Sequence, residues 1–165
     1  MFIKPLKDRK LLLVILSATL ICLSYIVYRS SENVNLTKDI VLLPEDLELV
    51  ALGKQVYATQ CASCHGANLE GQTNWQVRGP DGKLPAPPHD QTGHTWHHSD
   101  AHLFELTKYG VEKMIGQKYP NNMPAYAEIL SDREIIAVLS FIKRSWPKEI
   151  QRRHDLINSR ARDTQ

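Results

Sequence analysis

The hydropathy pattern sets the first thirty residues apart from the rest of the chain. Residues 11–28, LLLVILSATLICLSYIVY, carry no charge. As a helix rising 1.5 Å per residue they cover roughly 27 Å, close to the hydrocarbon thickness of a bilayer. Lys4, Lys7, Arg9 and Lys10 precede the run and Arg29 follows it. This charge bias predicts a single-pass anchor with its N-terminus in the cytoplasm and the remainder outside. Tyr25 and Tyr28 suit an aromatic anchor at the outer interface. The competing reading is a cleaved signal peptide, but the run is long and has no small-x-small site at its end. The expectation is therefore an uncleaved transmembrane helix within residues 1–29, and either reading exports the rest of the chain.

The remainder predicts short helices separated by long loops. Residues 30–44 are polar and form a tether. Pro44-Glu45-Asp46 opens a helix over about 45–60, with Leu49, Leu52, Gly53, Val56 and Tyr57 at helical spacing. Residues 66–95 are rich in Gly, Pro, Asn and Gln, and a loop of about 30 residues is abnormal unless it wraps something functional. Ser99 and Gly110 bound a helix over about 100–109. Residues 110–127 form a second irregular loop. Ser131-Asp132-Arg133-Glu134 is a capping box that opens a helix to about 145, with Ile135, Val138, Leu139 and Ile142 on one stripe and Pro147 beyond its end. Residues 148–165 hold five basic and three acidic residues and no apolar stripe, which predicts a charged C-terminal tail, either a solvated helix or disordered. The exported part is thus all-α, with too little secondary structure to cover its own core, so something else is expected to fill the centre.

Cys61-Ala62-Ser63-Cys64-His65 supplies that filling. The spacing matches the attachment site of c-type haem. Two thiols separated by two residues reach both vinyl groups on one porphyrin edge, and the next residue, His65, is carried under the iron as a ligand. A thioredoxin-like pair would need a βαβ context, and a zinc site would need further ligands, neither of which is visible. An electron carrier needs a sixth ligand as well. Of the three methionines, Met1 is the start and Met114 sits in a packing-like Val-Glu-Lys-Met-Ile. Met123, in Asn-Asn-Met-Pro-Ala-Tyr, lies on a loop able to fold over the second haem face, and a thioether there raises the potential. Met123 is the favoured ligand, with Met114, a histidine or an open position as the alternatives.

Over residues 45–147 the sequence resembles the class I mono-haem cytochromes c. The resemblance rests on Gly53 and Tyr57 in the first helix, on CASCHG at 61–66, on Gly-His-Thr-Trp at 93–96 and on NNMPAY at 121–126. A closing helix with Ser-Phe-Ile-Lys completes it. It implies the cytochrome c-like fold wrapped around one covalent haem c with its iron. It also implies that Gly53 and Tyr57 meet the closing helix near Leu139 and Ile142. A proline carbonyl should hold the proximal histidine, with Pro80, Pro85, Pro87 and Pro88 as candidates and Pro87 favoured. Trp96 should donate to a haem propionate. The loop at 67–95 is longer than a minimal member of the family needs.

Charge narrows the partners. The chain is 42% hydrophobic and 23% charged, in the globular range. Its net charge is +2, but residues 30–147 hold 10 basic and 14 acidic residues, a balance of −4. Nucleic-acid binding is disfavoured, and so is strong steering toward an acidic partner. No small-molecule substrate suggests itself. His89, His94, His97, His98 and His102 form a cluster that could bind copper or zinc, line the propionates together with Arg78, or simply be surface. The expectation is a membrane-anchored carrier, not an enzyme. It passes single electrons between redox proteins at the cytoplasmic membrane, with its haem domain (45–147) on the periplasmic or extracellular side. The alternatives are a gas-binding or catalytic haem protein with an open distal site, and a metal-handling protein that uses the histidines.

Overall fold

The computed structural model describes residues 13, 15–21, 24 and 40–163, which fall in two units, Met1–Asp39 and Ile40–Gln165. In the first unit the described residues are helical and exposed, and Thr19 Oγ1 donates to Leu16 O at 2.9 Å. Among the described residues no helix is long and apolar enough to cross a membrane. Much of the expected anchor at 11–28, and most of the tether at 30–44, lie outside the described residues.

The second unit is helical, with no strand among its described residues. Helix α1 spans Leu47–Val56 and opens where the Asp46 carboxylate accepts from Leu49 N at 3.0 Å. It runs on through a π-helical turn, Tyr57–Cys61, into the short α2, Ala62–His65. A 3₁₀ turn at Thr95–His97 precedes α3, Asp100–Tyr109, whose N-cap Ser99 accepts from His102 N. Residues 110–127 are less irregular than expected, because Val111–Ile115 forms a short helix, α4. Helix α5, Asp132–Ser145, carries the predicted capping box, with Ser131 and Glu134 each accepting from the other's backbone N–H. Helix α6 spans Lys148–Asp163.

Helix α5 is the centre of the unit. Its buried residues extend beyond the expected stripe to Ile136, Ala137, Ser140 and Lys143. Neighbours on several sides explain this: α1 and α3 pack against it, and Leu43 N donates to Ser140 Oγ at 2.9 Å from residues 40–44. The α1–α5 crossing depends on Gly53, where a Cβ would collide with the Ala137 carbonyl and stand 2.9 Å from Phe141 Cβ. Tyr57 meets Phe141 with ring centroids 5.5 Å apart. The nearest neighbours of Gly53 and Tyr57 on α5 are thus Ala137 and Phe141, one turn apart.

The C-terminal segment also differs from the expectation. Helix α6 is docked, and it buries the polar residues Gln151, His154 and Asn158. An apolar periodicity cannot reveal a helix held this way.

Candidate functional site

Two long segments converge on the CxxCH turn. The first, residues 66–94, leaves α2 at Gly66 with φ +83°. Gly71 N returns to His65 O at 2.7 Å, and His89 N reaches Leu69 O at 2.8 Å. Between these contacts Gln72 N bonds Ala86 O, and a turn at 79–83 closes with Gly79 N on Lys83 O. Gly71 is required where the segment doubles back, because a Cβ would strike the Pro87–Pro88 backbone. This path delivers the Pro87 carbonyl to His65, with Pro87 O 2.8 Å from Nδ1. None of the other candidate prolines bonds that ring. The bond assigns the proton to Nδ1 and leaves Nε2 as a basic lone pair. Burial holds His65 below the usual histidine range, against the opposing effect of the Pro87 bond. The Tyr57 hydroxyl fixes the turn from the far side, donating to Gly66 O at 2.8 Å, and the His89 ring stacks on His65 at 4.0 Å.

Cys61 and Cys64 are not joined to each other. Burial pushes the Cys61 thiol up to about 11, so before attachment it is protonated at neutral pH. A redox-active CxxC pair of the thioredoxin kind needs the opposite, a depressed thiol.

The second segment carries Met123. Residues 118–126 are irregular and Met123 is half-buried. Tyr126 N donates to Thr107 O at 3.1 Å, and the Tyr126 hydroxyl donates to Gln60 O at 2.9 Å, beside Cys61. Burial raises the Tyr126 phenol to about 12, so it remains a donor. The two segments are also joined to each other. Lys83 Nζ bonds Asn122 Oδ1 at 2.6 Å, next to Met123, and Arg78 bonds the Tyr119 hydroxyl at 3.1 Å while lying over its ring. Arg78 is thus a loop-to-loop tie, and its guanidinium is spent on Gly82 O and Tyr119. These ties escaped sequence reading because residues 41 and 39 positions apart carry no local signal. Tyr126 alone has one, a hydroxyl-bearing aromatic two residues after the Met-Pro pair.

The residues present fit a haem. Among the described residues Trp96 Nε1, in the turn Thr95–His97, and Asn121 Oδ1, in the Met123 segment, are buried without a hydrogen-bond partner. A buried indole N–H without an acceptor is costly unless something not of this chain accepts from it. An acceptor such as a propionate would satisfy Trp96. Met114 sits in α4.

The histidine cluster forms stacked pairs. His94 lies on Trp75 at 5.3 Å, His97 on Trp96 at 3.6 Å and His98 on His102 at 4.7 Å. Burial lowers His94 and His98 from their ordinary range. Among the described residues no three His, Cys, Asp or Glu groups converge to hold a metal ion. The metal-handling alternative finds no support in this arrangement.

A family model described as Cytochrome c matches residues 50–146. No curated protein and no solved structure matches the chain.

Proposed function

The chain belongs to the cytochrome c family, and on that premise we propose that it is a class I, mono-haem electron carrier, held at the cytoplasmic membrane by its N-terminal segment, with its haem domain on the periplasmic or extracellular side. Membership in the family establishes haem-based electron transfer and a covalently bound haem c with its iron. When bound, haem c supplies an iron that gains and loses one electron between the ferric and ferrous states.

Each residue then has one task. Cys61 and Cys64 hold the ring through thioethers. His65 offers Nε2 to the iron while the Pro87 carbonyl fixes the ring's tautomer and orientation. Met123, on a segment tied down by Tyr126 and by Lys83–Asn122, would be the second protein ligand to the iron. Trp96 Nε1, buried without a partner in the chain, would donate to a propionate. The bond between His65 and Pro87 carries this reading most, because it prepares a buried imidazole as a ligand before any ligand is considered. Redox proteins at the membrane are the proposed donors and acceptors, and an anchored domain meets them at raised effective concentration.

Two measurements test this reading. Holoprotein run on a denaturing gel should keep its haem, with one iron per chain, and Cys61→Ala with Cys64→Ala should release it. Loss of haem from the wild type on the gel would overturn covalent attachment here. The full-length protein should stay in the membrane pellet after alkaline carbonate extraction, and its release would overturn the anchor.

A further inference from the structure

Helix α6 begins after the family match ends at 146, and no step above uses it. It is nevertheless docked by polar side chains with specific targets. Gln151 Nε2 donates to Trp146 O at 2.9 Å. His154, fully buried, places Nε2 2.9 Å from His98 O. Asn158 Oδ1 accepts from Asp100 N at 2.7 Å. The last two contacts fall on either side of Ser99, the N-cap of α3, directly after the turn Thr95–His97 that carries Trp96. Asp100 gathers more of the fold, since its Oδ2 accepts from Leu42 N at 3.0 Å and Lys143 Nζ stands 4.0 Å from Oδ1. Burying a histidine and an amide costs desolvation that an apolar contact would avoid. What such groups add is direction, because each hydrogen bond fixes one backbone atom.

We propose that α6 is a positioning element for Trp96: His154 and Asn158 clamp the backbone at His98 and Asp100, so that the unpartnered Trp96 Nε1 is held toward a carboxylate of the haem. The inference rests on the propionate role given to Trp96 above. With the clamp in place, the indole N–H offsets negative charge near the iron and favours the ferrous state. Without it the turn relaxes, the donor is lost and the midpoint potential falls.

The test measures midpoint potentials of full-length holoprotein. Trp96→Phe should lower the potential. His154→Ala should lower it by a smaller amount, and His154→Gln, whose amide N–H can reach His98 O, should restore it. The double variant Trp96→Phe/His154→Ala should match Trp96→Phe alone, the non-additivity expected of two residues acting through one contact. Leu156→Ala, on the exposed face of α6, should leave the potential unchanged. A potential that moves with Trp96→Phe but not with His154→Ala refutes the clamp and leaves the Trp96 role standing. Full additivity in the double variant also refutes the clamp. A potential unmoved by Trp96→Phe removes the propionate role and the clamp with it. If His154→Ala does not accumulate, Asn158→Ala is read by the same criteria.

Discussion

Gly53→Ala adds one methyl group at the tightest point of the fold. The new Cβ would overlap the Ala137 carbonyl and lie 2.9 Å from Phe141 Cβ. A flexible side chain could yield at little cost, but the Ala137 carbonyl belongs to the backbone of the central helix, so α1 and α5 must separate. Overpacking of a well-filled core costs about 1–3 kcal/mol, and a backbone obstruction places this case near the upper end. Alanine returns about 1 kcal/mol of helix propensity relative to glycine. The net loss is therefore about 2 kcal/mol, or a fall in Tm of about 8 °C for a domain of this size. Because α1 runs on into Cys61 and His65, the separation also shifts the CxxCH turn against Tyr57 and Phe141. Thermal unfolding of the holoprotein, followed by far-ultraviolet circular dichroism and by the haem absorption band, reads both effects. A Tm within about one degree of wild type would refute the reasoning, since the collision would then be relieved without strain.

Other predictions follow from single contacts. Ser131→Ala removes the N-cap of α5 and should cost about 1 kcal/mol, read as a lower denaturation midpoint with an unchanged slope. Tyr126→Phe leaves Gln60 O without its donor and should cost about 1–2 kcal/mol while loosening the Met123 segment, so carbon monoxide should bind the reduced variant more readily than wild type. Burial holds His89, His94, His98 and His154 below the usual value of 6.5. As pH falls below 6.5 the unfolded chain therefore takes up protons first. Stability is full above that value and is lost toward the depressed native values, and His154→Gln should flatten this slope in denaturant titrations between neutral and mildly acidic pH.

The parts of the fold readable from sequence were those encoded locally. The Ser131–Glu134 box, the Ser99 cap and the CxxCH pentapeptide each lie within a few residues, and helix starts and attachment chemistry follow from such spacings. Gly53 was legible as a close approach, but its partners were not, because which face of α5 meets α1 depends on everything else that packs around α5. Helix α6 was misjudged for a physical reason. Its stability rests on Gln151, His154 and Asn158 bonding distant backbone groups, and hydropathy counts such residues as solvated. Arg78 and Lys83 likewise find their partners across about forty positions of chain. The cationic character of Arg78 suggests a propionate partner, whereas its geometry, like that of Lys83, joins two loops.

A carrier requires an iron closed on both sides. Reduced holoprotein should be exposed to carbon monoxide at neutral pH and its optical spectrum recorded, with Met123→Ala beside it. An unchanged wild-type spectrum, together with ready binding by Met123→Ala, is the result expected of a carrier ligated by His65 and Met123. Ready binding by the wild type would contradict it and would make this chain a ligand-binding or catalytic haem protein instead.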